Sequence, residues 1–217
     1  MVIIGVVLTF AGSDLLSRYA RSREVRTTMK LVYAELEADR TELRETLDWM
    51  RWEAHACRVI VDNRHDLSRI PADTMESFVH VGSRIVSYHP SRDAFDVLKN
   101  SGLMAAVNDK RFLLTLTQGY AALEQMEENV GVYYGQKLSA LNEMTRTLGK
   151  AESESYYSGG LYAVWNCILS SPSSADFVRS VPSFFQEEYL AGLLADVDRA
   201  IAAIGAGYPS VKKQADD

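Results

Sequence analysis

With 217 residues, 47% of them apolar and 24% charged, the chain has the make-up of a folded globular protein, which excludes wholesale disorder and makes one domain the default. Its net charge of −6 argues against a general nucleic-acid binder, which needs a basic face. Cys57 and Cys167 are the only cysteines; they could pair, but with no CxxC or Cys/His spacing they read as reduced apolar fillers rather than zinc ligands.

Met1 to Ser13 carries no charge and reads VIIGVVLTFAGS after the initiator. A helix continued through Asp14 to Tyr19 holds about nineteen residues and reaches roughly 28 Å, close to the thickness of a hydrocarbon core. Asp14 and Arg18, four apart, can pair at the interface, and Tyr19 suits the headgroup level. Residues 1–20 are therefore expected to form a membrane anchor. Two other readings compete: a buried segment, because the uncharged run is short, and a signal peptide, because Ala11 and Ser13 resemble small residues before a cleavage site. Arg18, Arg21, Arg23, Arg26 and Lys30 follow, opposed only by Glu24. The positive-inside rule then places the rest of the chain in the cytoplasm; a basic segment ahead of Met1 would reverse that orientation.

Between Ser13 and Ile70 there is neither glycine nor proline, so nothing interrupts a long helix. Its apolar stripe runs Val25, Met29, Val32, Leu36, Leu43, Leu47, Met50, Ala54, Cys57 and Val61, at helical spacing. Asp39 falls on that stripe, either at a helix edge or as a buried polar residue fixing register. Pro71 ends the helix, and a shorter one is expected from Asp73 to about Tyr88. Ser91 can cap a short helix carrying Phe95 and Leu98, closed by Asn100-Ser101-Gly102. Asn108 can cap a second long helix to Leu148, with Leu113, Leu116, Tyr120, Leu123, Val130, Tyr134, Leu141 and Met144 on one face. The two long helices are expected to pack antiparallel.

In the last third, Gly159-Gly160 opens a short apolar helix through Trp165 and Ile168, stopped at Ser170-Ser171-Pro172. A final helix spans Ser183 to Ile204, with Phe185, Tyr189, Leu193, Leu194, Val197, Ile201 and Ile204 facing inward. The expected organisation is thus all-α: an anchor at 1–20, a helical bundle at 21–204 and a loose tail at 205–217.

The segment YHPSRDAFDVLKNSGLMAAVNDKRFLLTLTQGY, Tyr88 to Tyr120, carries an aromatic-x-x-Leu-Lys-x-Ser-Gly turn and then an Asn-led helix reaching a Tyr. Together with the apolar N-terminal helix and the charged amphipathic helix after it, about the first 150 residues resemble a bacterial family known as domain of unknown function 6090. The resemblance implies a single-pass helical protein of the bacterial cell membrane. It transfers no active-site residue. The family typically has a basic stretch before the anchor, which this sequence does not show.

Several groups could carry chemistry. Asp62, His65 and Asp66, at i, i+3 and i+4, could offer three metal ligands from one helix face, or be a solvated polar end. Glu53, His55 and Cys57 lie two apart, so His55 points away from the other two. His80 and His89 flank the break at Pro90 and read as hydrogen-bonded structural histidines. Gly131 and Gly135 allow a close helix crossing or mark a local weakness. Tyr133-Tyr134 and Tyr156-Tyr157 could line a pocket, although tyrosines with one wet end are ordinary core residues. No nucleophile elbow, phosphate-binding loop, dinucleotide fingerprint or zinc-protease motif is present.

No catalytic, cofactor-binding or metal residue is assigned, and no cofactor is expected. The expected function is that of an anchored helical bundle working by contact with a protein partner or a second copy, as scaffold, accessory subunit or signal relay. A small-ligand sensor with a closed apolar pocket near Tyr120 and Tyr134 is the alternative, and a cryptic metal-dependent enzyme is less favoured. The expected partners are the lipid bilayer and another protein, not nucleic acid.

Overall fold

The absence of glycine and proline between Ser13 and Ile70 has its consequence in α1, Val2–Asp62, a single unbroken helix. The computed structural model describes residues 2–212, with side chains described for 17–82 and 84–211. Every regular element among them is helical. After α1 come a 3-10 turn at Leu67–Arg69, α2 (Ala72–Ser83), α3 (Asp93–Asn100), a second 3-10 turn at Leu103–Ala106 and α4 (Lys110–Thr147). Then follow α5 (Lys150–Tyr157), α6 (Ala163–Ser170), α7 (Pro172–Phe184), α8 (Glu187–Gly207) and α9 (Pro209–Lys212).

The chain divides into two compact units. The first is Met1–Glu42, Pro90–Glu124 and Leu193–Asp217; the second is Leu43–His89 and Gln125–Gly192. In the first unit the α1 stripe is buried at Val25, Met29, Val32 and Leu36, as are Leu98 of α3, Leu116, Tyr120 and Leu123 of α4, and Val197, Ile201 and Ile204 of α8. In the second, Leu43, Leu47, Met50, Ala54 and Cys57 are buried with Phe78, Trp165 and Val181. The stripe ends at Ile60, buried, and Val61 is half-buried.

The antiparallel pairing of the long helices is corrected. In the first unit Val25 and Phe112 line one groove, and further along both helices Glu35 meets Tyr120. In the second, Met50 and Tyr133 line one groove, and further along Cys57 and Leu141 line one cavity. Within each unit α1 and α4 therefore run parallel. Short connections make antiparallel neighbours, but residues 63–109 carry α2, α3 and both 3-10 turns, enough chain for a crossover. The antiparallel partner of α4 in the first unit is α8: Gly119 faces Ala200, and Phe112 meets Tyr208.

Several ends differ from expectation for local reasons. The α4 cap is Asp109 rather than Asn108, its carboxylate accepting from the N–H groups of Arg111 and Phe112. Pro172, expected as a stop, is the first residue of α7, where its missing N–H costs nothing. Tyr189 is exposed and Leu190 buried, so the inward face of α8 begins one residue later than expected. The expected loose tail begins inside α8. Tyr208 packs edge-on against Phe112 at 5.7 Å and Val211 of α9 is buried, while 213–217 lie outside the described residues. The expected anchor falls largely on residues 1–16, whose side chains lie outside the described ones. Among the described residues no helix is long and apolar enough to cross a membrane.

Candidate functional site

Acidic side chains of α1 reach inward in each unit. In the first, Glu35 and Asp39 sit one turn apart and converge on the start of α3. Glu35 Oε2 accepts from the Ala94 N–H at 2.8 Å and from the Ser91 hydroxyl at 3.1 Å, and Asp39 Oδ1 accepts from the Ser91 N–H at 3.0 Å. The N-terminus of α3, which has no side-chain cap of its own, is thus capped by α1. Glu35 Oε1 also accepts from Tyr120 Oη at 2.5 Å, and the Tyr120 ring stacks on Phe95 at 4.0 Å. Burial and the Glu35 carboxylate push the Tyr120 hydroxyl well above the usual phenol range.

Asp39 is the buried polar residue its place on the stripe allowed for. Burial is the main reason its carboxyl is pushed up to about 6, aided by Glu35 and Glu42 and opposed by the Ser91 N–H and Arg92. Its Oδ2 is buried without a hydrogen-bond partner among the described residues.

In the second unit Glu53 and Lys137 form an ion pair of 2.5 Å with both side chains buried. Lys137 Nζ also donates to the carbonyls of Val81 and Arg84, each at 2.7 Å, at the C-terminal end of α2. Its three donors are all engaged, and Glu53 Oε2 accepts from Tyr134 Oη at 3.0 Å. An ammonium so placed caps α2 and neutralises Glu53; it has no donor or lone pair left for a substrate. Cys57 lies one turn beyond Glu53. Burial first, and then Glu53, pushes its thiol up to about 12, so it is not a thiolate nucleophile. The cavity beside the pair has a water-accessible volume of about 10 Å³, room for one water molecule.

The residues singled out in the sequence are not brought together. α1 ends at Asp62, so Asp62, His65 and Asp66 share no helix face; Asp66 caps the first 3-10 turn through Ser68. Among the described residues no group of three or more possible metal ligands forms. His55 is exposed beside Trp52 and Phe78, away from buried Glu53 and Cys57. His80 is exposed, and His89 Nδ1 meets Glu127 Oε1 at 3.0 Å. Gly131 and Gly135 face open space; the close crossing lies instead at Gly119. Tyr133 packs among Tyr134, Phe177, Phe184 and Phe185 at 4.8 to 5.6 Å, and Tyr156 packs edge-on against Tyr157. The residues missed were Lys137 and Glu35. Lys137 sits on the α4 stripe between Tyr134 and Leu141, a charge where an apolar residue belongs, and that was the available signal.

These features define an all-α protein whose buried polar groups tie helices together. No family model, curated protein or solved structure matches the chain.

Proposed function

We propose that the chain is a single-pass, membrane-anchored helical protein of a bacterial cell membrane that works by protein contact, with α1 as the element that relays displacement from the anchor. The observation carrying this reading is the continuity of α1. One helix holds the anchor segment and supplies core residues to both units, with no break between Val2 and Asp62. An unbroken helix passes translation or rotation along its axis where a loop would dissipate it. Buried polar ties fix that helix to α3 in one unit and, through Lys137, to α2 in the other.

The Arg cluster after residue 17 favours a cytoplasmic position for the bundle. The filled surroundings of Tyr120 and Tyr134, both buried with their hydroxyls on Glu35 and Glu53, weigh against the ligand-sensor alternative. The engaged donors of Lys137 weigh against an enzyme at that pair. The test is membrane fractionation of the full chain and of a variant lacking residues 1–20. The full chain is expected to resist alkaline extraction and the truncated one to become extractable; a truncated chain that stays in the membrane overturns the anchor.

A further inference from the structure

We propose that a groove in the first unit, about 650 Å³ and lined by Arg26 and Arg111, receives the phosphate of an anionic phospholipid headgroup. The inference rests on the anchored reading above, since the lipid comes from the bilayer that holds residues 1–20.

The groove is built from three parts of the chain. Ser22 and Arg26 come from α1, Asn108 and Arg111 from the start of α4, and Tyr208 from the turn after α8. Both guanidinium groups are on exposed residues and, among the described residues, neither has a carboxylate within ion-pair distance. Arg21, Arg23, Arg58 and Arg146 likewise form no ion pair among the described residues, so the mark of the groove is that it brings two such guanidinium groups together. Arg40, Arg51, Arg179 and Arg199 each pair with an acid three residues away. Arg26 and Arg111 have no acidic residue three or four positions away in either direction. Asp109 is the acidic residue in the lining, and its carboxylate is engaged by the N–H groups that open α4. In a chain of net charge −6, the lining sets the two guanidinium groups against the one carboxylate of Asp109, so the groove is net positive, with neutral donors among its other residues.

Two guanidinium forks beside hydroxyl and amide donors suit a phosphate, which accepts bidentate hydrogen bonds in that geometry. The position along α1 selects the source. Ser22 and Arg26 lie about 3 Å and about 9 Å beyond residue 20 along the helix axis. The headgroup layer outside a hydrocarbon core is about 5–7.5 Å deep, so Ser22 lies within it and the long Arg26 side chain starts just beyond it, within reach of the phosphates. Arg18, Arg21 and Arg23, all exposed, precede the groove and raise the local concentration of anionic lipid.

The experiment is co-sedimentation of the full chain with phosphatidylcholine vesicles, with and without phosphatidylglycerol. The wild type should prefer the anionic vesicles by about 10-fold or more. The double variant R26K/R111K keeps both charges but loses the planar forks, and its preference should fall about 10-fold. The triple variant R18K/R21K/R23K should stay within about 2-fold of wild type, because diffuse attraction depends on charge alone. Unchanged preference in R26K/R111K, or an equal loss in the triple variant, overturns the groove. A thermal shift with inorganic phosphate in neutral detergent as large as that with phosphatidylglycerol overturns the lipid source. Failure of the anchor reads differently: the chain would leave pure phosphatidylcholine vesicles on alkaline washing, while the contrast between the lysine variants would still decide the groove. Helical circular dichroism of each variant confirms that these surface changes leave the fold intact.

Discussion

Lys137 of α4 and Glu53 of α1 form an ion pair shielded from bulk solvent, with side-chain exposures of 3% and 1%. Removing one partner strands the other charge in the core, and such losses cost about 3–5 kcal/mol. Glu53→Gln should therefore lower the unfolding free energy by that amount in urea titration, and Lys137→Met likewise. The double variant E53L/K137M should recover most of the loss, because apolar replacement of a whole buried pair is often neutral. The recovery has a limit: the Val81 and Arg84 carbonyls and the Tyr134 hydroxyl lose their partner too. Equal and additive losses in the two single variants and the double would mean the pair acts as two independent groups.

Asp39 gives stability a pH dependence of its own. Burial favours its neutral form, raising the carboxyl from 3.8 to about 6 in the folded chain. A raised folded value means that the favourable contribution of the bound proton is fully present below about pH 4 and is lost as pH rises through 6. The change is on the order of 3 kcal/mol at most. Asp39→Asn keeps an oxygen for the Ser91 N–H and removes the charge. Its advantage over wild type should therefore grow between pH 4 and pH 7, read from parallel denaturation curves. An advantage that is flat with pH would show that Asp39 titrates normally.

The two long stripes were legible because burial on one face imposes a 3.6-residue period, and most stripe residues from Val25 to Cys57 and from Leu116 to Met144 are buried. Their relative direction was not legible. Periodicity is blind to polarity, and direction is fixed only by successive pairs within each unit: Val25 and Phe112 in one groove, then Glu35 on Tyr120; Met50 and Tyr133 in one groove, then Cys57 and Leu141 in one cavity. The polar ties hid for a related reason. Glu53 and Lys137 each look like a misplaced charge until their partners meet across helices far apart in sequence. The α7 helix was lost because proline stops a helix from within but starts one at its first position.

Thiol chemistry offers a simple probe of the second unit. Cys57 and Cys167 are both free and buried, and burial raises both thiols above the usual value. Neither should react with a thiol reagent in the folded chain at neutral pH, and both should react together on unfolding. Fast native labelling of Cys57 would mean that the segment holding Glu53 opens locally.

Gly119 and Ala200 test the antiparallel packing of α8 on α4. A Cβ added at Gly119 would lie 2.5 Å from the Ala200 Cβ, with the Asp196 carbonyl at 3.5 Å, so the helices must separate. Overpacking of this kind costs about 1–3 kcal/mol, against a helix-propensity gain of about 1 kcal/mol for glycine to alanine. Gly119→Ala should therefore destabilise on balance. Gly135→Ala, on the same helix with open space around its Cβ, should stabilise by up to about 1 kcal/mol. Ala200→Gly alone loses propensity and a buried methyl group. In the double variant G119A/A200G the methyl group changes helix, the two propensity terms cancel, and stability should return close to wild type. The coupling read from this cycle should be about 1–3 kcal/mol in favour of the double variant. Strict additivity would separate the two residues and with them the α4–α8 contact.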